Sequence, residues 1–363
     1  LQTEKQTSKL SYINVAALYV GTIMGAGFAS GREGWQFFGL FGMKGYIGLI
    51  FATLMFAFIG MIICYIACTK GTDDIAVVIV GEEHPLIGKI ISTAISLMLY
   101  PVIISMSAAG GSFLNQQFGV HRAVGAAIII FLVIFTILGD FERISKVFKK
   151  IVPILFVIDV ALCAIVSFSD IKQSGATEGF TPSNMAPNWL IAAVVFVTYN
   201  AIALAPILGT AAINSKDRKH AVIGAGLGGL LLGILTIVLV TALRKDMAFS
   251  DSMDLPMLAY SQRISWVANL LFGGVLFAAI YSAATSVFYG FTVMIPEGPK
   301  KKPIIVVATL MGFLGSLTGF KVIVSFLYPF EGYIGVVIIG LMVWNFIKTY
   351  REDKKKNEQY FFK

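Results

Sequence analysis

Long apolar runs recur along this chain, most of them exceeding the roughly 18 residues that mark a membrane-spanning helix. Bounded by charge or by Pro, Gly and Asn, they lie near 11–40, 44–69, 86–115, 121–139 and 144–168. A second set lies near 188–213, 219–243, 264–295, 303–318 and 321–347. A backbone in hydrocarbon has no water to bond, so spans of this length must be helical. Charge is correspondingly scarce: 13% of residues are Asp, Glu, Lys or Arg, against roughly 25% in a soluble domain. The chain therefore reads as an all-α integral membrane protein with ten transmembrane helices, and the lipid bilayer is its solvent.

Several function classes fall away. The formal net charge of +8 does not mark a nucleic-acid binder, because the basic residues sit in short connections and at the ends. His84, His121 and His220 lie in connections, with no nucleophile–His–acid pattern around them, and no Walker A or dinucleotide fingerprint is present. Cys64, Cys68 and Cys163 fall inside spans and read as small packing residues. We expect no enzyme activity and no bound cofactor. The first apolar run follows a polar decapeptide and reads as a retained span, not a cleaved signal peptide.

With the N-terminus inside, 20 of the 28 Lys and Arg residues fall on the cytoplasmic side and 8 outside. Both termini are thus expected in the cytoplasm and the protein in the cell membrane. Spans one and six start near 11 and 188, and spans five and ten near 144 and 321; both offsets are 177 residues. Five spans is an odd number, so the second half must be inverted. The expected organisation is an N-terminal segment 1–10, a first repeat 11–168 and an extracellular loop 169–187. A second repeat 188–347 and a basic tail 348–363 complete it. Inverted repeats are a transporter plan with the substrate near the midplane, where paired broken helices meet.

Two interruptions stand out. Span one carries Gly21, Gly25, Gly27 and Gly31 within eleven residues, and each glycine weakens a helix by about 1 kcal/mol relative to Ala. In span six, Tyr199-Asn200-Ala201 precedes Pro206, which removes a backbone donor. Helices one and six are both expected to be broken, exposing amides suited to a carboxylate and carbonyls suited to a cation.

The stretch Gly25-Ala26-Gly27-Phe28-Ala29-Ser30-Gly31 resembles the first-helix glycine motif of the amino acid–polyamine–organocation superfamily, which has the LeuT fold. From Gly25 to Gly42 the sequence looks most like the YkvI-type bacterial membrane proteins. The resemblance implies a sodium site built from the carbonyls of Gly21 and Met24 with the hydroxyls of Ser282, Thr285 and Ser286 in span eight. Na⁺ is then a possible coupling ion. Asp159 lies mid-span, where an acid costs roughly 2.5–3.5 kcal/mol to insert; the resemblance implies that it ligates Na⁺ or carries a coupling proton. It also implies an outer gate between Arg32 and Glu331.

Substrate walls are expected from Gly25, Ala26, Gly27, Phe28 and Ser30, from Tyr100 and Ser105, from Phe196, Thr198, Tyr199 and Asn200, and from Tyr281. The function so implied is cation-coupled symport, with Na⁺ or H⁺, of a small amino acid or similar zwitterion. The alternative is a ligand-binding receptor or sensor subunit on the same fold, without net transport.

Overall fold

The computed structural model describes residues 9–138, 141–293, 295–296 and 298–361. Most of the expected N-terminal segment 1–10, the side chains of the Arg143–Lys150 basic cluster and the last two residues of the basic tail lie outside the described residues. Ten spans are assembled from sixteen α-helices. Span one comprises α1 (Tyr12–Ile23), α2 (Ala26–Ala29) and α3 (Arg32–Phe37). Span two is α4 (Met43–Lys70), followed by the short α5 (Ile75–Val80). Span three joins α6 (Pro85–Leu97) to α7 (Pro101–Phe118), and spans four and five are α8 (Arg122–Leu138) and α9 (Phe141–Phe168).

The second half repeats the plan. Spans six and seven are α10 (Trp189–Ile213) and α11 (Arg218–Leu243), followed by the short α12 (Met247–Ser252) and α13 (Pro256–Ile264). Spans eight to ten are α14 (Trp266–Val293), α15 (Lys301–Ser316) and α16 (Phe320–Phe361). The two halves are inverted five-helix repeats, and α1 and α10 begin 177 residues apart, at Tyr12 and Trp189.

Several helix starts carry side-chain caps, which replace the acceptors that the first amides lack. Asn188 Oδ1 accepts from the amides of Leu190 and Ile191, and Asp217 Oδ1 accepts from His220. The helices then meet through small residues, the normal route to close packing where lipid removes the hydrophobic drive between spans. A Cβ on Gly229 would stand 2.5 Å from the backbone of Ala57, and one on Gly233 2.0 Å from Thr53, so α11 lies tight against α4.

The two ends are held differently. At the end carrying both termini, Leu10 bridges backbone to backbone with Asn214 and Lys216. There Asp353 accepts from Tyr65 at 2.8 Å and from Arg218 at 2.6 Å. Lys348 pairs with Glu83, and its hydrogen bond and charge hold that carboxyl below its ordinary range. We call this the inner end. At the outer end, α12 and α13 fold down over α3.

Span six departs from the sequence expectation. The α10 helix runs without interruption from Trp189 to Ile213, with Pro206 inside it. Asn200 does not turn the chain; its Nδ2 donates to the Phe196 carbonyl one turn back, at 2.9 Å. The physical reason lies in α16. A Cβ on Gly332 would meet the Val195 carbonyl oxygen at 2.5 Å and one on Gly335 the Thr198 backbone at 2.8 Å. Thr198 Oγ1 donates to the Gly332 carbonyl at 2.7 Å. Span ten thus splints span six along the segment where a break was expected.

Candidate functional site

Span one is broken as its glycines imply. The α1 helix ends at Ile23, the Gly25 amide turns back to the Ile23 carbonyl at 2.6 Å, and Gly25 itself is extended. Among the described residues, the carbonyls of Gly21, Thr22 and Met24 and the amides of Ala26, Gly27 and Phe28 make no backbone hydrogen bond across this break. A second discontinuity follows at Gly31, whose φ of 82° is left-handed and accessible to glycine at little cost. The short α3 therefore starts on a new axis.

That new axis sends neighbouring residues in opposite directions. Arg32, fully buried, turns outward. Its guanidinium donates to the carbonyls of Asp251 and Met253, each at 3.2 Å, and to Gln36 Oε1 at 2.9 Å. The Asp251 carboxylate stands 3.9 Å away, accepting also from Trp35 Nε1 at 2.9 Å and from Lys321 at 3.1 Å. Glu33 turns inward. Its carboxyl lies over Gly27, where a Cβ would come within 2.0 Å of Oε1, and it accepts a hydrogen bond from the Tyr199 hydroxyl.

Around this carboxyl the site takes shape. The rings of Tyr199 and Tyr328 are 5.0 Å apart, and those of Phe37 and Phe196 lie 6.0 and 5.8 Å from Tyr199. The Tyr328 hydroxyl is 3.7 Å from the Cβ position of Gly27, and Ser105 faces it from α7. Glu331, one turn along α16 from Tyr328, is buried, and its Oε1 has no hydrogen-bond partner. The elements that converge here are α2, α3, α7, α10 and α16.

Of the expected substrate walls, Gly25, Ala26, Gly27, Phe28 and Ser30 line the break, with the Ser30 hydroxyl donating to the Gly27 carbonyl at 2.7 Å. Ser105, Phe196, Thr198, Tyr199 and Asn200 are buried or nearly so around the same centre. Tyr100 and Tyr281 do not join them. Tyr100 packs on Phe288 and Phe291 and donates to the Ala308 carbonyl at 2.9 Å. Tyr281 bonds Thr136 of α8. Each phenol is captured by a neighbouring span on the far side of its helix.

The expected cation ligands are divided. Gly21 and Met24 line a 260 Å³ cavity with Ala17, Val20, Pro153, Phe156 and Leu231, so span five does reach the break. Ser282 and Thr285 are buried on one face of α14, where Thr285 donates to the Tyr281 carbonyl at 2.8 Å. Ser286 is exposed; one residue further on, a helix has turned about 100°. Asp159 is buried in α9, and Cys163 Sγ lies 4.0 Å from its Oδ1. The expected Arg32–Glu331 gate is not formed, because the left-handed Gly31 turns Arg32 onto the outer connection.

Known proteins give this geometry a frame. No protein-family model matches the chain. It is 26% identical over 345 residues to the uncharacterized membrane protein YkvI of Bacillus subtilis (strain 168), covering 93% of this chain and 97% of YkvI. It is 24% identical over 325 residues to the uncharacterized protein YyaD of the same organism, covering 89% and 93%. Inward-facing Mhp1 superposes with a TM-score of 0.62 at 13% identity, over 93% of this chain and 78% of Mhp1. A manganese transporter of Eremococcus coleocola superposes with a TM-score of 0.55 at 12% identity, over 92% and 76%.

The chain has the LeuT fold. At these identities the superpositions speak to the fold alone, and the chain is a multi-pass membrane protein on that plan. Glu33 was not among the site residues expected from the sequence. The available signal was an acid inside a span, four residues beyond Ala29, which is costly in hydrocarbon without a partner or cavity.

Proposed function

We propose that this chain is a secondary active transporter, working by alternating access and moving a small amino acid or similar zwitterion with Na⁺ or H⁺. The observation that carries this reading is the break at Met24–Gly25. On a LeuT-fold frame it leaves unpaired carbonyls on one side and unpaired amides on the other, both at the centre of the bundle. Amides at a half-helix start favour a carboxylate and carbonyls at a half-helix end favour a cation. The amides of Ala26 and Gly27 would hold the substrate carboxylate. Gly21, Met24, Ser282, Thr285 and Asp159 would hold or relay the coupling ion. The end carrying both termini would face the cytoplasm.

The state of the outer end supports the same reading. The outer end is tied shut by Arg32, Trp35, Asp251 and Lys321. A tied end that must be released is what one half-cycle of alternating access requires.

Uptake of a labelled amino-acid mixture into proteoliposomes under a Na⁺ gradient, with a pH gradient as the second arm, tests the proposal. Uptake driven by one gradient and lost in Asp159→Asn is expected. Ligand binding without uptake under either gradient would overturn transport in favour of a receptor.

A further inference from the structure

Glu33 and Glu331 pose a problem that the proposed transport function leaves unsolved. Both side chains are more than nine-tenths buried, at 6% and 8% exposure. They are close enough for their charges to act on one another, and Tyr328 feels both. Among the described residues, no Lys, Arg or His pairs with either, and the one buried cation nearby, Arg32, is bound to the outer connection. Glu33 has a single partner, Tyr199, and Glu331 Oε1 has none. Two acids in one buried region stay neutral while empty or are matched by a positive charge brought in by a ligand, because an unpaired ion in low dielectric costs several kcal/mol.

The side chains around the two acids have the matching chemistry. Phe37, Phe196, Tyr199 and Tyr328 form a packed aromatic cluster beside Glu33, and aromatic faces attract cations. Gly27 keeps the floor free of a side chain, so that the Glu33 carboxyl can lie directly against the span-one break. Resting on the transport reading, we propose that Glu33, opposed by Glu331 and backed by Tyr199 and Tyr328, receives the substrate's positive end. The site thereby selects molecules that carry a free ammonium group. Glu33 also sits next to Arg32 on the same short helix, so a ligand that draws the Glu33 carboxyl acts on the element that holds the outer lock.

The test is a thermal-shift titration of the purified full chain in detergent with two matched series: ethylamine, alanine, N-acetylalanine and propionate, and phenethylamine, phenylalanine, N-acetylphenylalanine and 3-phenylpropionate. Stabilisation by members that keep the ammonium, and by none that lack it, is expected. Glu33→Gln should weaken that binding at least tenfold, while Leu54→Ala, on the exposed face of α4, should leave it unchanged. Tyr199→Phe keeps the carboxylate and removes its donor; the same ranking of ligands is expected from it even where Glu33→Gln fails to fold. Equal stabilisation by N-acetylalanine or propionate, an unchanged affinity in Glu33→Gln, or no shift with any member would overturn the proposal. Proteoliposome uptake run in parallel separates the two ideas. Ammonium-dependent binding without uptake would sink transport alone, and driven uptake of propionate would sink ammonium selection alone.

Discussion

Spans one and six occupy equivalent places in the two repeats, and both carry residues that weaken a helix, yet only span one is broken. Span one has its glycines where other elements press in: Met257 and Leu243 crowd Gly31, and Glu33 lies over Gly27. Span six has a proline, but α16 is laid along it, with Gly332 and Gly335 against Val195 and Thr198. A helix-breaking residue in a membrane opens a span only where the freed backbone is buried in protein or lines a cavity. In span six α16 packs on Val195 and Thr198, upstream of Pro206, and the helix continues through the proline. The difference is one of neighbours as much as of composition.

The largest test of this comparison is Arg32→Met. It removes the tie between the outer piece of span one and the carbonyls of Asp251 and Met253. Breaking a buried charged network of this kind costs about 3–5 kcal/mol. A clearly lower melting temperature and faster thiol labelling of a cysteine placed at the outer end are expected. An unchanged melting temperature would show that α3 is held by its apolar side chains alone.

Gly335→Val attacks the splint instead. The added side chain meets the Thr198 backbone at 2.8 Å, and overpacking of a rigid contact costs about 1–3 kcal/mol. If α16 is what keeps span six whole, the variant should both melt earlier and expose amides near Asn200 to hydrogen exchange. Earlier melting with no gain in exchange would show that span six is continuous by its own propensity.

Within span one, two glycines should behave unequally. Gly31→Ala puts a side chain on a left-handed residue, at about 1–2 kcal/mol, beside Met257 and Leu243. Gly25→Ala should be nearly silent, within about 0.5 kcal/mol. Its backbone is one that any residue adopts, at φ −83°, and the nearest atom to the added Cβ is 4.0 Å away. Paired melting curves of the two variants decide this. A Gly25→Ala cost equal to that of Gly31→Ala would mean that the break itself demands glycine.

The functional centre was legible in part. Gly25-Ala26-Gly27 announced the break, because glycines concentrated in an apolar span have few other uses; Tyr199 and Asn200 were singled out for a second break in span six, and α10 is continuous there. Tyr100 and Tyr281 are also phenols inside spans, but their direction depends on which neighbour offers an acceptor, and Ala308 and Thr136 did so. Glu33 was hidden for the opposite reason: in sequence it sits beside Arg32 and invites a local ion pair. Only the left-handed turn at Gly31 sends the two side chains to different faces of α3.

Span count, helical class, the inverted offset of 177 residues and the opening in span one were determined by the sequence itself, because lipid allows few ways to satisfy a backbone and glycine clusters are costly in helices. The tertiary structure alone decided that span six stays whole, that Arg32 locks the outer connection and not Glu331, and that Glu33 and Glu331 share one interior. Each of these depends on which surfaces meet between distant spans. Contacts of that kind carry no local signature, since the same Pro, Arg or Glu is compatible with several partners until packing chooses one.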